Sequence, residues 1–290
     1  MLTIENQALR LTVDPLGAQM TSLQSRDGTE YLWQGDPRYW ADQAPTLFPF
    51  IGRLTQGRCQ YEGKEYPMDI HGFANVSLFT PVVQQEDRLV LEFTDSPETL
   101  RRYPVSFRLQ VGFSLDQNRL TVSYRAENRD RKLMAFGLGG HPGFRVPLEE
   151  GEAFEDYALS FAHPCAPERI GFTDSVFLSG EDRPYPLEDG QTLPLSHSLF
   201  DEDAIILRNC DRGICLRSRK SNRSVTLSYS DFPYLGLWHM PHTQAPYLCI
   251  EPWTSLPSRQ DVVEELTQKS DMIRLQPGKV FEACWTVTLT

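Results

Sequence analysis

Residues 105–126 read VSFRLQVGFSLDQNRLTVSYRA, and the alternation in this stretch decides the fold class. Val105, Phe107, Leu109, Val111, Phe113 and Leu115 are apolar, whereas Ser106, Arg108, Gln110, Gly112, Ser114 and Asp116 between them are polar or small. Successive side chains of a strand point to opposite faces, so this period predicts a strand with one buried and one solvated face. Beyond Gln117 and Asn118 the pattern resumes at Leu120, Val122, Tyr124 and Ala126, the signature of an antiparallel hairpin partner.

Working outward, Val225, Leu227 and Tyr229 repeat the alternation, as do Phe281, Ala283, Trp285, Val287 and Leu289 at the carboxyl end. Turn dipeptides at Asp27-Gly28, Glu62-Gly63, Asp189-Gly190 and Pro277-Gly278 separate β-prone runs along the whole length. Many short strands spaced by turns predict an all-β protein, a large antiparallel β-sandwich. Helix is expected only in short pieces. One opens at Ser96, with Pro97 in its first turn, and another falls near Asp261 to Gln268. The stretch from about Glu149 to Asp203, rich in Pro, Gly and acid, reads as long surface loops. No linker, repeat or composition break divides the chain, so residues 1–290 are expected to form a single domain.

Composition narrows the classes of function. The chain is 40% hydrophobic and 23% charged, ordinary values for a protein with a sizeable core. Lys and Arg number 28 against 39 Asp and Glu, a formal charge of −11. That field repels phosphate backbones and anionic lipid, so neither nucleic acid nor a membrane is expected as a partner. The amino terminus lacks a basic start and apolar run, and no stretch reaches the ~20 apolar residues needed to span a bilayer. A cytoplasmic location is expected. Six scattered cysteines without a CxxC spacing read as reduced thiols. Nothing in the sequence reports the oligomeric state.

Three ionisable residues stand in short breaks between strand-like runs. His71 precedes Gly72-Phe73-Ala74, His141 lies between Gly139-Gly140 and Pro142-Gly143-Phe144, and Glu251 lies between Cys249-Ile250 and Pro252-Trp253. Breaks of this kind let side chains from distant segments point into one cleft. An imidazole and a carboxylate, with unperturbed pKa values of about 6.5 and about 4.3, together move protons near neutrality. Glu251 ends an apolar run beside a tryptophan, an environment that raises a carboxyl pKa.

These contexts occur in order with Gly17-Ala18, Phe48-Pro49-Phe50, Gly52-Arg53, Asp203 and Leu235-Gly236-Leu237-Trp238. Together they resemble the aldose 1-epimerase (galactose mutarotase-like) family, in particular its divergent bacterial members. The resemblance covers nearly the whole chain. It implies a mutarotase-like supersandwich, a small-molecule sugar as ligand, and interconversion of α and β anomers without metal or other cofactor. By the same resemblance Glu251 is the general base and His141 the general acid, with Glu251 ionised and His141 protonated before ring opening. Arg53 and His71 would bind sugar oxygens and Asp203 a sugar hydroxyl. Phe144 and Trp253, with Phe73 and Trp238, would offer apolar faces. Pro142-Gly143-Phe144-Arg145 follows the second histidine where the best-known mutarotases have an aromatic-Asn pattern. A hexose 6-phosphate is therefore as open as a free hexose, with Arg53, Arg58 or Arg145 as phosphate contacts.

Two other readings stay open. Two histidines and a carboxylate also suit a metal-dependent β-sandwich enzyme, to which His239 and His242 could contribute. A carbohydrate-binding protein without catalysis would keep the cleft alone.

Overall fold

The predicted hairpin forms as the spine of the larger sheet. The computed structural model describes residues 1–290, and in it strand Phe107–Asp116 pairs with strand Arg119–Asn128 along their whole lengths, from Asp116 opposite Arg119 to Phe107 opposite Asn128. The carboxyl-terminal strand Val280–Leu289 pairs on the other side of Arg119–Asn128. From edge to edge this antiparallel nine-stranded sheet runs Thr192–Pro194, Tyr157–Phe161, Gly213–Ser218, Ser224–Ser228, Val280–Leu289, Arg119–Asn128, Phe107–Asp116, Arg88–Thr94 and Thr80–Gln84. Tyr157–Phe161 corrects the expectation of loops between Glu149 and Asp203. All of its residues but Ser160 are buried, and it lies inside the sheet.

A second antiparallel sheet carries the cleft. Its order is Arg183–Pro184, Glu168–Arg169, Ile205–Arg208, Tyr234–Trp238, Tyr247–Trp253, Gly139–Gly140 and Thr46–Leu47, and Gly143–Arg145 also pairs with Tyr247–Trp253. The two large sheets pack face to face. Leu109, Val111, Tyr124, Trp285 and Val287 from the first and Leu207, Leu235, Leu237, Leu248 and Ile250 from the second share one hydrophobic core. A smaller sheet of Leu2–Glu5, Leu9–Asp14 and Gln19–Ser25 adds Ile4, Leu11 and Leu23 to that core.

Helical structure is confined to single 3-10 turns. The turn Thr99–Arg101 follows Ser96, whose hydroxyl accepts from the Thr99 N–H at 3.2 Å, as a cap there should. The helix expected near Asp261 to Gln268 is absent. Gln60 donates to the Glu264 carbonyl at 2.7 Å and Leu266 donates to the Gln60 carbonyl at 2.9 Å, so this backbone is taken up by the strand Arg58–Tyr61. Glu264, buried and bound by Arg259 through both carboxylate oxygens, pins it there.

Candidate active site

Strand periodicity explains how a carboxylate reaches the cleft. In Tyr247–Trp253, Leu248 and Ile250 face the shared core, so Tyr247, Cys249, Glu251 and Trp253 face the other way. Gly236 lies opposite Glu251 in the neighbouring strand, and a Cβ there would stand 3.2 Å from the Glu251 Cβ. The glycine leaves room for the acid.

His141 arrives from the other side of the same strand. Gly139 pairs with Trp253 and with Leu47, and the backbone then bends. His141 donates its N–H to Pro45 at 3.2 Å, and the Pro142 carbonyl accepts from Ile250 at 3.1 Å. Trp40 packs against the imidazole at 4.7 Å between ring centres with the rings tilted by 31°, and Trp238 meets it edge-on at 5.8 Å. His71 comes from a third segment. Its φ of 63° and that of Gly72, 81°, turn the chain sharply; Gly72 is required because a Cβ would lie 2.3 Å from the Phe48 carbonyl oxygen.

These segments close on one cavity of about 580 Å³. Arg53, His71, His141, Asp203, Glu251 and Trp253 all line it, which brings six of the seven expected site residues together. Phe144 is the exception. It pairs with Leu248, whose side chain faces the shared core, and it is itself buried in that core, so it touches no cleft space. Phe73 is likewise a core residue. Trp40, Asp42, Asn75 and Met240 also line the cavity, and none was picked out from the sequence.

At the centre, His141 Nε2 lies 3.3 Å from Glu251 Oε2. Glu251 is 1% exposed and His141 9%. Burial raises the Glu251 carboxyl well above its ordinary range, and the negative Asp203 adds to the rise while the Trp253 indole opposes it. Burial also lowers the His141 imidazole well below its ordinary value, helped by neighbouring His71. The direction of the Glu251 shift is the one its apolar run suggested. In a poorly solvated pocket each shift is toward the neutral form, the carboxyl holding its proton more tightly and the imidazole less. His141 Nδ1, Glu251 Oε2 and Trp253 Nε1 are buried without an aligned hydrogen-bond partner, three polar atoms left for a ligand.

His71 differs in kind. Its Nδ1 accepts the Gly52 N–H at 3.1 Å, so in the neutral ring Nε2 carries the proton and can donate. Burial, with the Arg53 charge, lowers its pKa to about 4. Arg53 is exposed and forms no ion pair, and Asp203 caps its own turn through the Ala204 N–H at 2.8 Å. The other two arginines considered for phosphate lie elsewhere. Arg58 pairs with Glu65 at 2.7 Å, and Arg145 lines a separate hollow with Gln34 and Glu149.

The two-histidine metal arrangement does not form. Besides His141 and Glu251, the third donor within reach is the thiol of Cys249, not His71. His239 instead hydrogen-bonds His197 at 3.1 Å, and His242 is exposed beside Asp201. All six cysteines are free, and no helix is long and apolar enough to cross a membrane.

The profile of the aldose 1-epimerase family matches residues 1–284. Two Lactococcus lactis proteins, the plasmid and chromosomal forms of LacX, are each 33% identical over 297 residues, covering 99% of this chain and 99% of their own. Among solved structures, a galactose mutarotase related enzyme from Lactobacillus acidophilus superposes with a TM-score of 0.94 at 32% identity, over 99% of this chain and 96% of that one. A galactose mutarotase-like protein from Lactobacillus casei does so at 0.93 and 33% identity, over the whole of both chains.

Proposed function

We propose, for a chain that belongs to the aldose 1-epimerase family, that it interconverts the α and β anomers of an aldose by acid/base ring opening, with His141 and Glu251 as the proton-handling pair. The observation that carries this reading is the 3.3 Å approach of the two groups on the buried floor of a cleft large enough for a hexose. A site for binding alone needs hydrogen-bond partners but no matched acid and base.

Ring opening removes the proton of the anomeric hydroxyl to the Glu251 carboxylate. The C1 to ring-oxygen bond breaks, its electron pair stays on the ring oxygen, and that oxygen takes the proton of the His141 imidazolium. The free aldehyde turns about the C1–C2 bond, and closure on its other face returns both protons. Each positioned transfer contributes on the order of 10² to 10⁴ in rate. Opening starts from an ion pair and ends with two neutral groups, the state that burial favours. No net proton enters or leaves, because the neutral pair and the ion pair hold the same number.

His71 Nε2–H and Arg53 are the donors available to sugar oxygens, Asp203 is an acceptor, and Trp253 supplies an apolar face with an indole N–H. The lining holds one basic side chain, Arg53, beside Asp42 and Asp203. That balance suits a neutral hexose better than a phosphomonoester. The test is polarimetry on freshly dissolved α-aldoses and hexose 6-phosphates, with and without protein. Acceleration that is larger for neutral sugars supports the reading. Sugar binding in calorimetry with no acceleration of any sugar would overturn it in favour of a binding protein.

A further inference from the structure

Cys249 has no part in that chemistry, yet its surroundings are unusual for a structural thiol. It stands two residues before Glu251 in the same strand, so the two side chains share a face, and His141 reaches the same point from the break after Gly139-Gly140. The Cys249 Sγ, a carboxylate oxygen of Glu251 and an imidazole nitrogen of His141 all lie within 4.8 Å of one another. All three residues are buried, and both Glu251 Oε2 and His141 Nδ1 lack an aligned protein partner. His71 is not in the cluster, its Nδ1 being committed to Gly52.

We propose that Cys249, His141 and Glu251 form a binding site for a thiophilic divalent cation of the zinc class, and that the bound cation switches the sugar site off. The donor set selects the cation. One sulfur, one imidazole nitrogen and one carboxylate oxygen match the ligands zinc takes in tetrahedral sites, at about 2.3 Å for sulfur and about 2.0–2.2 Å for nitrogen and oxygen. Ligand atoms around such an ion lie roughly 3 to 4 Å apart, so small side-chain rotations suffice to close the cluster. Magnesium and calcium prefer six or more oxygens and gain little from a thiolate. His141 and Glu251 line the cavity, which gives the ion a route to the cluster. On binding, the thiol and the carboxyl release their protons to solvent as the metal bonds form, so affinity rises with pH. Inhibition, as distinct from binding, rests on the reading of His141 and Glu251 as the catalytic pair, since the cation occupies both.

The test uses the full chain carrying Cys284→Ser, which removes the exposed thiol, alone and combined with Cys249→Ala or Cys249→Ser. Cobalt(II) is the optical probe, through its thiolate-to-metal absorption band, and zinc competes for the site, with magnesium as control. A single cobalt with a thiolate band is expected when Cys249 is present. Both Cys249 variants should lose the band, weaken zinc binding by more than about tenfold, and raise the inhibitory zinc concentration by the same factor relative to their own zinc-free rates. Equal cobalt spectra and zinc affinities with and without Cys249 would overturn the site, as would zinc inhibition that ignores the substitution. Binding that depends on Cys249 but leaves turnover untouched would keep the site and overturn the catalytic assignment instead.

Discussion

His141 Nε2 and Glu251 Oε2 stand 3.3 Å apart without the alignment of a hydrogen bond, and both residues are buried. A proton can reside on either atom, and burial biases both groups toward their neutral forms. Two ionisable groups this close titrate as a coupled pair, so the behaviour with pH belongs to the pair.

The first consequence concerns the pH dependence of kcat/KM. On the proposed reading the pair works with one proton bound. Its acid limb is set by protonation of an imidazole lowered well below its ordinary value, and its alkaline limb by ionisation of a carboxyl raised well above its own. A broad plateau through neutrality is expected. Asp203→Asn removes a negative charge that raises Glu251, so the alkaline limb should move to lower pH while the acid limb stays. An unmoved alkaline limb would separate Asp203 from the pair.

His71→Asn should act on binding more than on turnover. His71 is neutral at pH 7, with a pKa of about 4, and has a single Nε2–H to offer the cleft. One lost or misplaced neutral hydrogen bond is worth about 0.5 to 1.5 kcal/mol, so KM should rise about 2- to 10-fold with kcat changed less. Steady-state kinetics would show this split. A loss confined to kcat would give His71 a proton-transfer role.

Acid should weaken the fold before the carboxylates titrate. His71 and His239 have folded pKa values of about 4, lowered chiefly by burial, against about 6.5 in an unfolded chain. A histidine kept neutral by the fold contributes stability that is fully present above pH 6.5 and is lost as pH falls toward 4. Thermal melts should show Tm declining between pH 7 and pH 4.5. In His239→Gln the decline should be shallower, even though Tm at pH 7 is lower. An unchanged slope would contradict the assignment.

Phe144→Leu distinguishes a core residue from a sugar contact. With its ring buried between the sheets, the substitution should cost about 1 to 2 kcal/mol and lower Tm by a few degrees. KM for the sugar should not change. A raised KM with unchanged Tm would return Phe144 to the cleft.

Strand alternation made the sheets readable, because Val105 to Ala126 carries the period in its own residues. Glu251 was readable for a related reason, an acid ending a run too apolar for it. Phe144 misled because the Pro142-Gly143 break looks like loop, while pairing with Leu248 turns its ring to the core. That register is a long-range fact. Trp40 and Asn75 carry no local mark either; the one reaches His141 through a tilted ring contact, and the other follows His71-Gly72-Phe73-Ala74 into the lining. Cys249 had a signal that went unread, its spacing of two from Glu251. The segment 261–268 failed as a helix because its backbone partners lie in Arg58–Tyr61, far away in the chain.

The central claim, that His141 and Glu251 handle protons as one unit, is tested most directly by exchange NMR between the anomeric signals of an aldose the protein turns over. The proteins to compare are wild type, Glu251→Gln, His141→Asn and the double variant. Each single change should slow interconversion by about 10² to 10⁴ while calorimetry still detects the sugar, and the double variant should be no slower than the slower single one. Full wild-type exchange in Glu251→Gln, or losses that simply multiply in the double variant, would contradict it.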